Sequence, residues 1–271
     1  MALSTENLFQ KTRDIKLAFP FLTDFESRFP EGDLYLVGGA VRDLLLNRRT
    51  KDVDFLIRKV ASTPLHHFLS QHGKASLVGK NFGVYKFMPA GSNNEIDVAL
   101  PRTERSFSHK GIYRDFEIET DPNLPIEEDL KRRDFTINAM AVDMKRFCLI
   151  DPFNGLSDLE AGSIRAVGDP PVRFSEDYSR LLRGLRFACQ FRFQFEQKTW
   201  NALCEKIEFI NSTKEDGTFV ALATTLIDGT PSPYTVSATT FSTSFFGAGR
   251  AAAPSSGPSG PSSGGGPSGG G

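Results

Sequence analysis

Apolar residues recur along the first 210 positions with two different periods, and the switches between them predict the elements. DLYLVGG, from Asp33 to Gly39, is a short apolar run closed by two glycines. It predicts a strand entering a tight turn. In AVRDLLLN, Val41, Leu44 and Leu45 share one face of a short helix. DVDFLIR sets Val53, Phe55 and Ile57 against Asp52, Asp54 and Leu56, so a second strand is expected with Val53 and Phe55 turned to the core. PLHHFLSQHG predicts a helix closed by Gly73, and ASLVGK, GVYKFMP and NEIDVAL predict three further strands. Residues 101 to 125 are expected to form a long loop. IEEDLKRRD opens with carboxylates, as a first helical turn favours. CLIDPFNG reads as a strand and a turn. From Pro171 to Ile210 the period is helical, with Leu181, Leu182, Leu185 and Ala188 on one face. A small sheet with helices, then a helical element, is an α+β fold rather than a regular βαβ winding.

The pattern ends near residue 211. Beyond Asp216 only Asp228 and Arg250 are charged, and the chain closes on AAAPSSGPSGPSSGGGPSGGG, a composition too poor in apolar residues to order itself. The expected organisation is a folded head over 1–151, a helical neck over 152–210 and a disordered tail over 211–271.

Composition narrows the picture modestly. Of 271 residues, 39% are hydrophobic and 24% charged, as in ordinary globular chains, and the net charge of -1 announces no polyanion partner. Cys148, Cys189 and Cys204 are odd in number and lack CxxC spacing, which supports neither a disulfide framework nor a zinc cluster. Reduced thiols, no apolar run of membrane-spanning length and no signal-peptide core point to a cytoplasmic protein without a membrane partner, an organelle being the alternative.

Four constellations carry candidate chemistry. Asp52 and Asp54, two apart on a predicted strand, face one side and can share a divalent cation; a solvated strand face is the alternative. Asp97, between Ile96 and Val98, joins them if its strand is the neighbour, and such hard oxygen donors favour Mg2+ over zinc. Gly38 and Gly39 open backbone N–H groups to a phosphate that Arg42 can also reach, or form only a tight turn. In LKRRDFTINAMA, the adjacent Arg132 and Arg133 point apart, while Asp134 and Asn138 can share a helical face and hold a ribose; a capped helix with a basic end is the alternative. In FSEDYSRLLRGLRF, Glu176, Asp177 and Arg180 form either a helix-surface ion pair or a base-reading set. Cytosine and adenine both present an amino donor beside a ring-nitrogen acceptor, the complement of a carboxylate beside an arginine. Uracil and guanine present the reverse.

Weaker features are His66, His67 and His72, read as a solvated helix; Lys80, Asn81 and Gly83, near the phosphate turn or in a hairpin; and Trp200, read as core.

The ordered set LVGGAVRDLLLNRRTKDVDF, EIDVALPRTE, EEDLKRRDFTINAMA, IDPFNGLSDLEAGSIRAVG and FSEDYSRLLRGLRFA resembles the motifs of class II tRNA nucleotidyltransferases, the CCA-adding enzymes, and their bacterial poly(A) polymerase relatives. The resemblance runs from about Asp33 to Phe191. It implies a palm-like head with a small mixed sheet and a helical neck, which add C and A from CTP and ATP to the tRNA 3′ end with Mg2+. By this likeness Asp52 and Asp54 bind metal and Asp97 is the further acidic residue. Gly38, Gly39 and Arg42 form the triphosphate turn, and Arg132, Arg133, Asp134 and Asn138 contact ribose and triphosphate. Glu176, Asp177 and Arg180 select the base, and DPFNG opens a hinge. Asn47 stands where the family usually has glycine. The helical body and tail of the family are replaced by the low-complexity end, so a truncated chain is expected. LVGKNFGVYKF lacks the His-Val pair of the poly(A) polymerases, which favours CCA addition; the poly(A) branch and an inactive binding remnant are the alternatives. The loop RTERSFSHK, with Arg102, Arg105, His109 and Lys110, is a candidate for the element that switches C to A.

Overall fold

The computed structural model describes residues 5–50, 52–78, 83–106 and 116–206. Lys80, Asn81, His109, Lys110, the side chain of Arg105 and the 211–271 tail lie outside what is described.

Two helices that no expectation covered come first: α1 (Thr5–Ala18) and α2 (Phe21–Arg28). Strand β1 (Asp33–Val37) runs through Gly38 into α3 (Gly39–Leu45), and β2 (Asp54–Arg58) leads to α4 (Ser62–His72). Strands β3 (Gly73–Val78), β4 (Val84–Pro89) and β5 (Ile96–Ala99) follow as expected. The predicted long loop instead contains β6 (Arg102–Ser106) and β7 (Phe116–Thr120), paired antiparallel from Arg102↔Thr120 to Ser106↔Phe116. This ribbon stands apart from the main sheet. Its ladder rests on backbone hydrogen bonds, so no apolar alternation betrays it in RTERS. Helix α5 (Ile126–Lys131), a 3-10 turn (Thr136–Asn138), β8 (Ala141–Asp143) and β9 (Cys148–Ile150) complete the sheet region. The remainder is α6 (Gly155–Ala161), β10 (Ser163–Ile164), α7 (Pro170–Glu176), α8 (Ser179–Phe191), β11 (Gln194–Phe195) and α9 (Gln197–Lys206). All of these elements belong to one compact unit.

The main sheet has seven strands in the order β3-β4-β5-β2-β1-β8-β9. Only β2 and β5 run parallel, so the sheet is mixed within an α+β fold. Both faces are covered. On one, Phe55 meets Phe19 and Phe21 edge to face, and Phe21 meets Phe87 at 5.0 Å, so α2 seals this side with aromatic rings. On the other, Tyr35, Val37 and Leu56 pack with Ile126, Leu130, Ala141 and Val167. Double coverage corrects the half-buried reading of β2: Phe55, Leu56 and Ile57 are all fully buried, while Val53 precedes the strand and is only half-buried.

The later elements grip the sheet region through a short seam. Thr136 N donates to Arg165 O at 2.9 Å and Val167 N to Asp134 O at 3.0 Å. The Phe135 ring packs against Phe174 and Phe187. Gly184 of α8 permits this approach, because a Cβ there would lie 2.8 Å from Phe135. Trp200 is core, its ring 5.5 Å from that of Phe195. His66 and His67 are exposed, and His72 pairs with Asp24. Among the described residues no helix is long and apolar enough to cross a membrane.

Candidate functional site

Antiparallel pairing of β1 with β2, and parallel pairing of β2 with β5, bring three features to one end of the sheet: the Gly38 turn, Asp54 and Asp97. Asp54 and Asp97 are register partners on β2 and β5, so both carboxylates leave the same face. Asp52 is exposed and lies just before β2 rather than on it, where Thr50 Oγ1 donates to its backbone carbonyl at 2.9 Å. It is near enough that its charge adds to the field at Asp54. Burial, then the negative charge of Asp97, with a smaller push from Asp52, raises the Asp54 carboxyl to about 6, against the pull of Arg133 and Lys86. An ionised carboxylate so disfavoured calls for a cation. Among the described residues no three His, Cys, Asp or Glu side chains form a metal cage. Magnesium does not require one, since it is commonly held by one or two carboxylates together with substrate phosphates and water. Asp52 and Asp54 fit that pattern.

Arg133 crosses above the glycine turn. Gly38 has φ 70° and ψ -133°, a conformation that only glycine adopts readily, and a Cβ there would fall 2.5 Å from Arg133 Nη1. The predicted divergence of Arg132 and Arg133 does not occur. Helix α5 ends at Lys131, and both guanidinium groups turn to the fully buried Asp129, at 2.9 Å and 3.4 Å. Burial alone would raise the Asp129 carboxyl; the two arginines outweigh it and hold it below the usual range. Arg133 Nε is buried with no hydrogen-bond partner among the described residues. Such an orphan costs about 1–3 kcal/mol until an acceptor arrives.

Arg42 is more enclosed than a simple phosphate arm. Its Nε and Nη2 donate to Asp43 Oδ1 at 2.9 Å and 2.8 Å, and its Nη1 to Asn138 Oδ1. Its guanidinium also lies 5.2 Å and 4.7 Å from the ring centres of Phe187 and Phe191. Asn138 Nδ2 in turn donates to Asp134 Oδ1 at 3.1 Å, and Arg183 Nε donates to Asp134 Oδ2 at 2.7 Å. Asp134 and Asn138 thus meet, but across a strand-like residue and a 3-10 turn rather than on a helix face. The carboxyl of Asp134 stays low because Arg183, Asn138 and the Phe135 N–H offset its burial.

Glu176, Asp177 and Arg180 do not share a helix either. Helix α7 ends at Glu176, Asp177 is extended at φ -152°, and α8 begins at Ser179. The break makes Asp177 a cap whose two oxygens accept from Ser179 N at 2.8 Å and Ser179 Oγ at 2.9 Å. Arg180 is buried rather than a surface ion partner. It donates to Glu176 at 2.6 Å, to Arg173 O at 3.0 Å and to Arg132 O at 3.2 Å. These contacts hold the Arg180 guanidinium in one orientation.

Three site residues escaped the sequence reading. Lys86 lies 2.6 Å from Asp97. Arg183 and Arg186 of α8 lie over the Phe187 ring at 5.5 Å and 5.1 Å, and burial followed by the charge of Arg183 lowers the Arg186 pKa. The three-residue spacing of Arg180, Arg183 and Arg186 marks one helix edge and was the available signal. Lys86 had none, since its partner is set by strand register.

Residues 34–165 match the family described as the poly A polymerase head domain. The chain is 43% identical over 158 residues to the multifunctional CCA protein of Stenotrophomonas maltophilia, covering 58% of this chain and 36% of that protein. Its fold resembles that of the Bacillus stearothermophilus CCA-adding enzyme in complex with CTP, with TM-score 0.57, 29% identity and coverage of 79% of this chain and 51% of that one. It also resembles the Thermotoga maritima CCA-adding enzyme complexed with tRNA, with TM-score 0.60, 29% identity and coverage of 79% and 48%. The chain spans less than half the length of the curated relatives it matches.

Proposed function

We propose, from the premise that this chain belongs through residues 34–165 to the poly(A) polymerase head family shared by the CCA-adding enzymes, that it transfers C and A nucleotides from CTP and ATP to the 3′ end of tRNA. The observation that carries the reading is the in-register pair Asp54 and Asp97, beside a glycine turn overlaid by Arg133. Residues 1–151 act as the transferring head and 152–210 as the neck that reads the base. The reaction joins the acceptor 3′-oxygen to the α-phosphorus and releases pyrophosphate.

A magnesium ion on Asp52 and Asp54 would neutralise the charge of the reacting phosphates. The rest falls to the chain. Gly38 and Gly39 let a triphosphate approach the backbone, and the orphan Nε–H of Arg133 gains an acceptor there. Arg42 and Asn138 fix the wall behind it, with Asp134 held for the ribose. Arg183 and Arg186 add positive charge along α8. Asp177 and Arg180 meet the base edge, and Glu176 anchors Arg180. Soluble tRNA lacking its CCA end, incubated with labelled CTP, ATP and Mg2+, should lengthen in discrete steps on a gel, and a chelator should stop it. Nucleotide binding without lengthening would identify a binding remnant instead.

Gly38→Ala should weaken the fold by about 1–3 kcal/mol, because an L-residue is strained at this backbone setting. It should also raise KM for both nucleotides by displacing Arg133. Denaturant melts and initial rates test the two effects. An unchanged KM would detach the turn from nucleotide binding.

A further inference from the structure

We propose that Lys86 is a positioning residue: it ties the Asp97 carboxylate to β4, keeps it out of the divalent ion's coordination, and leaves Asp52 and Asp54 as the ion's protein ligands. The inference rests on the reading of Asp52 and Asp54 given above.

The register of three strands carries it. Lys86 on β4 is the antiparallel partner of Asp97 on β5, and Asp97 is the parallel partner of Asp54 on β2. All three side chains therefore stand in a row on one sheet face. Lys86 Nζ approaches Asp97 Oδ1 to 2.6 Å, with Glu95 farther away at 4.0 Å. The hydrogen bond to Asp97 is the largest influence on the ammonium and raises its pKa, so the lysine is charged throughout the neutral range.

Without Lys86, a divalent ion would meet three carboxylates, Asp54 and Asp97 in the row and Asp52 just before β2. Charge count then matters. Two carboxylates neutralise a divalent ion, whereas three leave the site net negative toward an incoming triphosphate. More ligand charge also binds the ion more tightly, as in other oxygen-ligand sites. A lysine bonded to the third carboxylate offsets that charge permanently with a monovalent cation. It is half-exposed and serves no core packing, so replacing it tests electrostatics rather than folding.

The test uses the full chain with Mn2+ and Tb3+ as probes. Paramagnetic resonance of free Mn2+ gives affinity, and Tb3+ luminescence decay in H2O against D2O counts bound water. Lys86→Met should bind Mn2+ about tenfold more tightly and hold about one water fewer on Tb3+, the place being taken by Asp97. Lys86→Arg should match the parent in both. Lys86→Met combined with Asp97→Asn should restore the parent's water count. An unchanged count in Lys86→Met, or a lost water that persists in the double variant, overturns the proposal while Asp54-dependent ion binding stands. Failure of the parent to bind Mn2+, or full binding by Asp54→Asn, overturns the metal reading and this inference together.

Discussion

Asp54→Asn should lower nucleotide transfer by about a thousandfold or more, and at the same time make the folded chain more stable at neutral pH. The first effect follows from removing one of two protein ligands from an ion that clamps the reacting phosphate, a loss of several kcal/mol at about 1.4 kcal/mol per tenfold. The second follows from the raised carboxyl. Burial first, and Asp97 next, move it from 3.8 to about 6. Between those values the folded chain keeps a proton that the unfolded chain has released. Stability is therefore lost as pH rises through this window, by roughly 3 kcal/mol once above it. Asparagine carries no charge to desolvate. The variant's advantage should be largest near pH 8 and fade as pH falls toward 4. Urea denaturation across that range reads it directly. A transfer rate within a few-fold of the parent would remove Asp54 from the chemistry. Equal stability at pH 8 would remove the unfavourable field around it.

Base choice should collapse when Asp177 or Arg180 loses its hydrogen-bonding pattern. The expected change is a fall of at least about a hundredfold in the preference for CTP and ATP over UTP and GTP, since sites built on buried hydrogen bonds discriminate far more strongly than sites built on shape. Asp177→Ala also removes the α8 cap, at about 1 kcal/mol. Arg180→Ala empties a buried position and takes one partner from Glu176, which keeps Arg173 at 2.8 Å, so it also costs some stability. Arg180→Lys is the safer variant. It keeps a charge beside Glu176 but not the planar fork that reads a ring nitrogen. Relative kcat/KM for the four nucleotides decides the matter. Retained selectivity in both Asp177→Ala and Arg180→Lys would leave these residues a purely structural role.

The parts of the fold legible in the sequence are those whose burial is one-sided or bounded by glycine. Strand β1, helix α3 and the helix before Gly73 all emerged from spacing. Asp97 was legible too, because a carboxylate between Ile96 and Val98 on a strand is unusual enough to count, and it lent weight to the commoner Asp52 and Asp54 pair. What stayed hidden depends on partners distant in sequence. The three residues of β8 are buried on every side and carry no period. The β6–β7 ribbon is held by backbone pairing, which side-chain chemistry does not record. The break between α7 and α8 splits a continuous helical period at Asp177, whose capping role only the folded backbone reveals. Lys86 lay in plain view but gained meaning only from register.

The enclosure of Arg42 also bears on how this chain can change over generations. Its guanidinium joins Asp43, Asn138 and, through Asn138, Asp134 and Arg183, with Phe187 and Phe191 as walls. Drift at Asp43 or Arg183 takes the charge partner from the buried Arg42 or Asp134, a loss of about 3–5 kcal/mol against a total stability of about 5–15 kcal/mol. Few lineages could tolerate such an intermediate. The phenylalanines are freer, because another large apolar side chain preserves the wall at lower cost. Descendants of this chain should therefore diverge first at 187 and 191, and should inherit 42, 43, 134, 138 and 183 as a single character, exchanged together or kept.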